Sequence, residues 1–272
     1  MSLIGRKRRD LSGRTPVPGM ESPSRACICV SVWKAVDVAE PGELIAHGRD
    51  ADIYEFGPGL VLRRTRDGRS IEAEARVMEH VRTHGLPVPE VHEVRAGGTE
   101  IVMDRIDGPT MVDAFARRPW AMRHHTHVLA DLHRQVHALE APAWMPQLPD
   151  GGDRVVHLDL HPLNVIYGAD GPVLIDWTNA SRGRAETDLA QTWLIVAASD
   201  TSDQGLVARL GGPLQTLVAR LVIGEFDRDA IVPFLRPVAE VRSEDRNMRP
   251  GEIEAMFRIV EREERRLERA KG

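Results

Sequence analysis

The chain has 272 residues, 42% of them apolar and 28% charged, the make-up expected of a soluble globular protein with room for two modest lobes or one large domain. Its net charge of −5 hides an asymmetry, because residues 1–35 carry seven Lys/Arg against Asp10 and Glu21, which leaves −10 for the rest. An acidic body argues against nucleic acid as the main partner, and no apolar run reaches the ~20 residues that a membrane-spanning helix needs.

In chain order, residues 1–37 are polar, basic and rich in Pro and Gly, and are read as a disordered or peripheral tail. They hold no apolar segment of signal-peptide type before Met20, itself an alternative start. Cys27 and Cys29, the only cysteines, form neither a disulfide framework nor a zinc set, so a reducing cytoplasm is the expected compartment. ELIAHGRDADIYEFGPGLVLRRT reads as strand, loop, strand, turn, strand, with the first loop at Gly48 to Asp52 and a turn at Gly57-Pro58-Gly59. On the third strand Arg63 and Arg64 point to opposite faces. SIEAEARVMEHVRTHG predicts a helix opened by Ser70, with Glu72 and Glu74 in its first turns, and closed by Gly85.

EIVMDRIDG predicts a fifth strand running into a connection. Residues 111–139 are helical in composition, with Leu129, Leu132, Val136 and Leu139 as the apolar stripe. His124/His127 and His133/His137 have metal-ligand spacing on a helix, but no adjoining Cys completes either pair as a metal set. The simpler reading is a core helix with histidines on its flanks.

The most informative stretch is HLDLHPLNVIYGADGPVLID, His157 to Asp176. Two short apolar runs joined by a turn carry Asp159, Asn164 and Asp176. A carboxylate, an amide five residues on and a second carboxylate beyond a hairpin is an arrangement suited to phosphoryl transfer. One group accepts a hydroxyl proton and two hold Mg²⁺ against nucleotide phosphates.

H-L-D-L-H-P-L-N-V-I, then L-I-D-W, then D-L-A at Asp188 to Ala190, resembles the aminoglycoside phosphotransferase and choline kinase-like family. Two positions depart from the usual motif: Leu158 and Leu163 stand where Gly is frequent, which threatens the loop backbone if either needs positive φ. The resemblance implies an α+β, bilobal protein-kinase-like fold. A small antiparallel N-lobe with one helix would span 38–106, and a larger, mainly helical catalytic and substrate-binding lobe 107–272. It also implies roles. Asp159 is the catalytic base, Asn164 and Asp176 are the metal ligands, and Arg63 grips the α- and β-phosphates, with Arg64 as the register alternative. Glu74 pairs with that cation, with Glu72 as its alternative. The loop at Gly48 covers the phosphates, backbone groups from Met103 through Arg105 to Ile106 meet the adenine, and His157, His161 and Asp188 support the catalytic loop.

The reading is therefore a small-molecule kinase using ATP or GTP with Mg²⁺ to phosphorylate a hydroxyl. Asp188 follows Asp176 by only twelve positions, and no A-P-E follows, which disfavours a protein kinase. A nucleotide-binding scaffold with impaired catalysis is the other alternative. The acidic body, with Glu225, Asp227 and Asp229, suits a cationic acceptor; neither nucleic acid nor membrane is expected as a partner.

Overall fold

A computed structural model describes residues 40–48, 50–198 and 206–271. The basic tail and both cysteines lie outside them. Strands β1 (Leu44–His47), β2 (Ala51–Glu55), β3 (Leu60–Thr65), β4 (Val91–Arg95) and β5 (Glu100–Asp104) form one antiparallel sheet in the order β1-β2-β3-β5-β4. Leu60 lies opposite Asp104 and Arg63 opposite Ile101, and β5 is engaged by neighbours on both edges.

Helix α1 (Glu72–Thr83) follows β3. It begins later than the sequence suggests: Ile71 occupies the cap position, and the Ser70 hydroxyl accepts from the Glu72 N–H at 3.3 Å instead of capping the turn above. Gly85 (φ 89°) takes the left-handed step past the end of the helix, where Gly costs least. Ala75, Val77, Met78 and Val81 bury one face of α1 in an apolar cluster. That cluster runs on through Ile101, Leu129, Leu132, Leu160, Leu174 and Trp177, so core packing is continuous from the sheet into the helical part.

After β5 the chain passes Gly108, where a Cβ would stand 1.9 Å from the Tyr167 carbonyl oxygen, so no larger residue fits this crossing. The predicted single helical stretch is divided. Helix α2 (Met111–Arg117) opens with a capping box between Thr110 and Asp113, and α3 (Met122–Ala138) follows a 3-10 turn containing Pro119. Then come β6 (Arg154–Val156), the hairpin β7 (Val165–Gly168) and β8 (Gly171–Leu174), and β9 (Ser181–Gly183), which pairs with β6. The helices α4 (Ala185–Ala198), α5 (Leu206–Ile223), α6 (Arg228–Ser243) and α7 (Pro250–Lys271) complete the chain.

The stretch WTNASRGRAETDLAQTWLIVAAS reads as a run into a helix opened by Thr187 or Glu186, whereas the structure has strand β9 first and α4 starting at Ala185. Neither Thr187 nor Glu186 opens the helix. The Asp150 carboxylate reaches across instead and accepts from Arg184 N–H at 3.0 Å and from the Thr187 hydroxyl. A cap supplied from another segment is invisible to local pattern.

Candidate functional site

Two antiparallel pairs hold the conspicuous loop. It leaves β6 at Val156 and enters β7 at Val165; the chain returns from β8 past Asp176 to β9. Pairing of Val165 with Leu174 sets Asn164 beside Ile175, and the Ile175 N–H donates to the Asn164 carbonyl at 3.1 Å. Hairpin register thus brings Asn164 to the strand end that carries Asp176.

Around Asp159 every polar atom is positioned. Asn164 Nδ2 donates to Asp159 Oδ2 at 3.0 Å and to the Asp159 carbonyl at 2.8 Å, which turns Asn164 Oδ1 away from it. His161 Nδ1 accepts from Leu163 N–H at 3.3 Å, so its proton sits on Nε2, 3.4 Å from Asp159 Oδ1. Burial pushes the Asp159 carboxyl up, but His161 and Asn164 outweigh it and hold the group below the usual carboxylate range. Asp159 is therefore ionised at neutral pH and able to accept a proton.

His157 is fully buried against Trp177. Its Nδ1 accepts from Asp159 N–H and its Nε2 bonds the Ile175 carbonyl, both at 3.2 Å, which fixes one neutral tautomer. The ring ties the Asp159 N–H to the chain just before Asp176 and has no proton to exchange with the carboxylate. Asp188 sits beneath, accepting from Leu158 N–H at 2.6 Å, His157 N–H at 3.3 Å and His137 Nε2 at 2.8 Å.

His133, His137 and Thr192 brace the loop, a role that the helical spacing of the two histidines does not reveal and that nothing in the sequence assigns to Thr192. The three ligand atoms of His133, His137 and Asp188 lie within 4.8 Å of one another. The acidic partner of His133 and His137 comes from a different element, α4. That carboxylate is already engaged by backbone N–H groups of the loop. Thr192 donates to the Leu160 carbonyl at 2.8 Å and meets His133 Nε2 at 3.2 Å, so α3 and α4 together grip the loop after Asp159 as well as before it.

Burial pushes the imidazoles of both His133 and His157 below their ordinary value of 6.5. In the folded protein they stay neutral, while in the unfolded chain they bind protons as pH falls through about 6.5. The unfolded state then holds more protons, so stability declines with falling pH by roughly 1 kcal/mol per unit for each ring until the folded rings also titrate. Denaturant midpoints measured from pH 7.5 to 5 should fall; a flat profile would contradict neutral burial.

Of the two leucines, only Leu158 bears strain: its φ is 61°, whereas the Leu163 backbone is not left-handed and its side chain is 38% exposed. The Leu158 N–H bond to Asp188 holds the left-handed turn in place. That conformation costs an L-residue about 1–2 kcal/mol, and a β-branched one more. Leu158→Gly should leave the unfolding free energy within about 1 kcal/mol of wild type, because relief of strain offsets lost packing and backbone entropy. Leu158→Ile should lower it further than that; equal behaviour of the two variants in denaturant titrations would argue against strain here. Asp176 is also left-handed, at φ 65°, a conformation Asp tolerates better than most residues.

On the sheet side, geometry distinguishes the alternatives. Arg63 turns to α1, where it forms an ion pair with Glu74, and its Nη2 reaches Thr178 Oγ1 at 3.0 Å and Asp176 Oδ1 at 3.3 Å. Arg64 instead pairs with Glu100 at 2.8 Å over the Tyr54 ring. Glu74 is 5% exposed, while Glu72 lies on the open side of α1. Thr178 is not marked by any sequence motif, yet its hydroxyl lies 3.1 Å from Glu74 Oε2 and 2.8 Å from Asp176 Oδ1.

Gly48 lies in the β1–β2 turn, its N–H donating to the Ala51 carbonyl at 2.8 Å; a Cβ there would meet that same oxygen at 2.8 Å. Met103 is paired with both Val61 and Val91. The N–H of Arg105 is engaged by the Gly59 carbonyl at 2.9 Å, and its guanidinium by Glu55 and Asp107. The expected cationic-substrate acids are occupied as well. Glu225 meets Arg134 at 3.0 Å and His127 at 3.2 Å, Asp227 caps α6, and Asp229 pairs with Arg266.

A sequence profile described as the APH phosphotransferase enzyme family matches residues 41–135 and 104–221. That is well over half of the chain, and the chain belongs to this family. A choline/ethanolamine kinase family protein from Mesorhizobium loti is similar in structure, with 14% identity over 82% of this chain and 88% of that one and a TM-score of 0.53. The streptomycin–ATP–APH(2")-IIa ternary complex gives 13% identity, 75% and 88% coverage and a TM-score of 0.52. ADP-bound aminoglycoside phosphotransferase APH(2'')-Ib gives 13%, 81%, 93% and 0.51. No curated protein sequence matches the chain. At these identities the likeness defines the fold, which is the α+β protein-kinase-like fold of choline kinases and aminoglycoside phosphotransferases.

Proposed function

We propose that this protein transfers the γ-phosphoryl group of ATP to a hydroxyl of a small molecule. The supporting observation is the meeting of Asp159, Asn164 and Asp176 at one hairpin, with the Arg63–Glu74 pair reaching across to Asp176. Asp159, ionised and held by His161 and Asn164, orients the acceptor hydroxyl and takes its proton as the oxygen attacks. Arg63 presents a fixed cation to the α- and β-phosphates, and Glu74 and Thr178 set its direction.

Asn164 Oδ1 and Asp176 Oδ2 accept no hydrogen bond from the described residues, and both are the hard oxygen donors that Mg²⁺ prefers, so these side chains fit the ion. When bound, Mg²⁺ would offset the negative charge that develops on the phosphate during transfer. In the connection after β5, the N–H of Ile106 is the first after the ladder that no described group engages, and we assign it to the edge of the nucleotide base. We assign nucleotide binding to 38–106 and catalysis with acceptor binding to 107–272. The short passage from Asp176 to β9 supports a small acceptor over a protein one.

Asp176→Ala should abolish detectable binding of Mg²⁺-ATP in titration calorimetry, as it removes a ligand and frees Arg63. Affinity equal to wild type would rule out the ligand role.

A further inference from the structure

Helix α7 has a segregated sequence, RIVEREERRLERAK. At 100° per residue Arg258, Arg262, Arg265, Arg266 and Arg269 fall on one strip. Glu254, Glu261, Glu264 and Glu268 fall on another, and Met256, Ile259 and Val260 face the core. Beside the arginine strip lies a cavity of about 640 Å³, within the ~300–1,000 Å³ range of small-molecule sites. Trp193 of α4, Ala219 and Ile223 of α5 and Ile259 give it an apolar floor.

Its rim is cationic. Arg220 of α5 and Arg228 of α6 join Arg262, Arg265, Arg266 and Arg269 of α7 around the opening. Among the described residues one carboxylate lines the cavity, Glu263, which is buried and bonded by Arg228, by Arg262 at 3.0 Å and by Arg266 at 3.1 Å. Asp229 and Glu261 engage Arg266 and Arg265 from outside. Among the described residues six guanidinium groups from three helices therefore face three carboxylates, in a body that is otherwise acidic, and neither Arg220 nor Arg269 has an ion-pair partner there. A concave surface of one sign focuses its potential on a counter-ion. Guanidinium forks suit phosphate oxygens, and the apolar floor suits the body of an organic molecule.

We propose that the cavity between α4, α5 and α7 is a second binding site, distinct from the phosphotransfer cleft, for a small organic molecule carrying two or more phosphate groups. Helix α4 links it to the catalytic loop. Trp193 forms the floor, its neighbour Thr192 bonds the Leu160 carbonyl, and Asp188 bonds Leu158 N–H one turn earlier. A ligand there acts on the same helix that braces Asp159.

The test is titration calorimetry of the full chain with inorganic tripolyphosphate, without Mg²⁺, comparing wild type with Arg220→Glu/Arg269→Glu. Both residues are exposed and outside the proposed catalytic machinery. The expected result is loss of one tripolyphosphate site, or at least about a ten-fold rise in Kd, with the melting temperature unchanged, since removing one charge-assisted hydrogen bond weakens binding by about a factor of ten. If the double variant melts early, Arg269→Glu alone, in the last turn of α7, carries the comparison. No binding by wild type at millimolar probe would overturn the proposal. So would equal stoichiometry and affinity in the variant, which would place all binding in the phosphotransfer cleft.

Discussion

Replacing Asp159 by Asn should lower kcat by about 10²–10⁴-fold, the span that loss of a positioned general base produces. The substitution keeps the shape of the side chain and one acceptor oxygen, so the Asn164 bond that holds the loop has a partner. What disappears is the ability to take a proton. In the native protein the carboxylate is kept ionised by His161 and Asn164 against the opposing effect of burial. The neutral amide removes that charge without opening a cavity, and KM for the nucleotide should stay within about three-fold, because the groups assigned to the phosphates are untouched. Steady-state kinetics on the accepted substrate would check both values. Activity near wild type would mean that another group accepts the proton.

The second large effect falls on stability. Asp188 is wholly buried and accepts from two loop N–H groups and His137. Asp188→Ala would leave those donors in the core with no acceptor, each costing about 1–3 kcal/mol. The sum, about 3–5 kcal/mol with partial relaxation, is a large share of the ~5–15 kcal/mol that folds a domain. Urea unfolding of the variant should show that loss, and Leu158, whose left-handed turn depends on Asp188, should lose its restraint first. A loss below 1 kcal/mol would show that water or a rearranged loop replaces the carboxylate.

Some of this site is legible in the sequence because its geometry is local. Asp159 and Asn164 share one loop, and a hairpin carries the chain to Asp176, so spacing alone predicts that they meet. Arg63 is harder. Alternation separates it from Arg64 without saying which faces the helix, and the decision rests on strand order, which pairs Arg64 with Glu100 across the sheet. Thr178 and Thr192 are not readable, since each acts on a segment far away in sequence and no motif marks them, and the spacing that marks His137 with His133 does not show that it braces Asp188. The departures at Leu158 and Leu163 look equivalent as letters; only the backbone separates a strained position from an ordinary one. Strand β9 escapes sequence reasoning because Ser181, Arg182 and Gly183 have no strand preference of their own and extend only by pairing with β6.

The family and fold constrain the chemistry more tightly than the acceptor. The acids that hinted at a cationic substrate are engaged by Arg134, Arg266 and the α6 cap, so they lend that hint no support. The most direct measurement of the central claim is transfer of radiolabelled γ-phosphate from ATP to a panel of hydroxylated small molecules, by wild type and by Asp159→Asn in parallel. The account predicts Mg²⁺-dependent labelling of an alcohol by wild type and its loss in the variant. Labelling equal in the two proteins, or labelling that persists without a divalent ion, would contradict it.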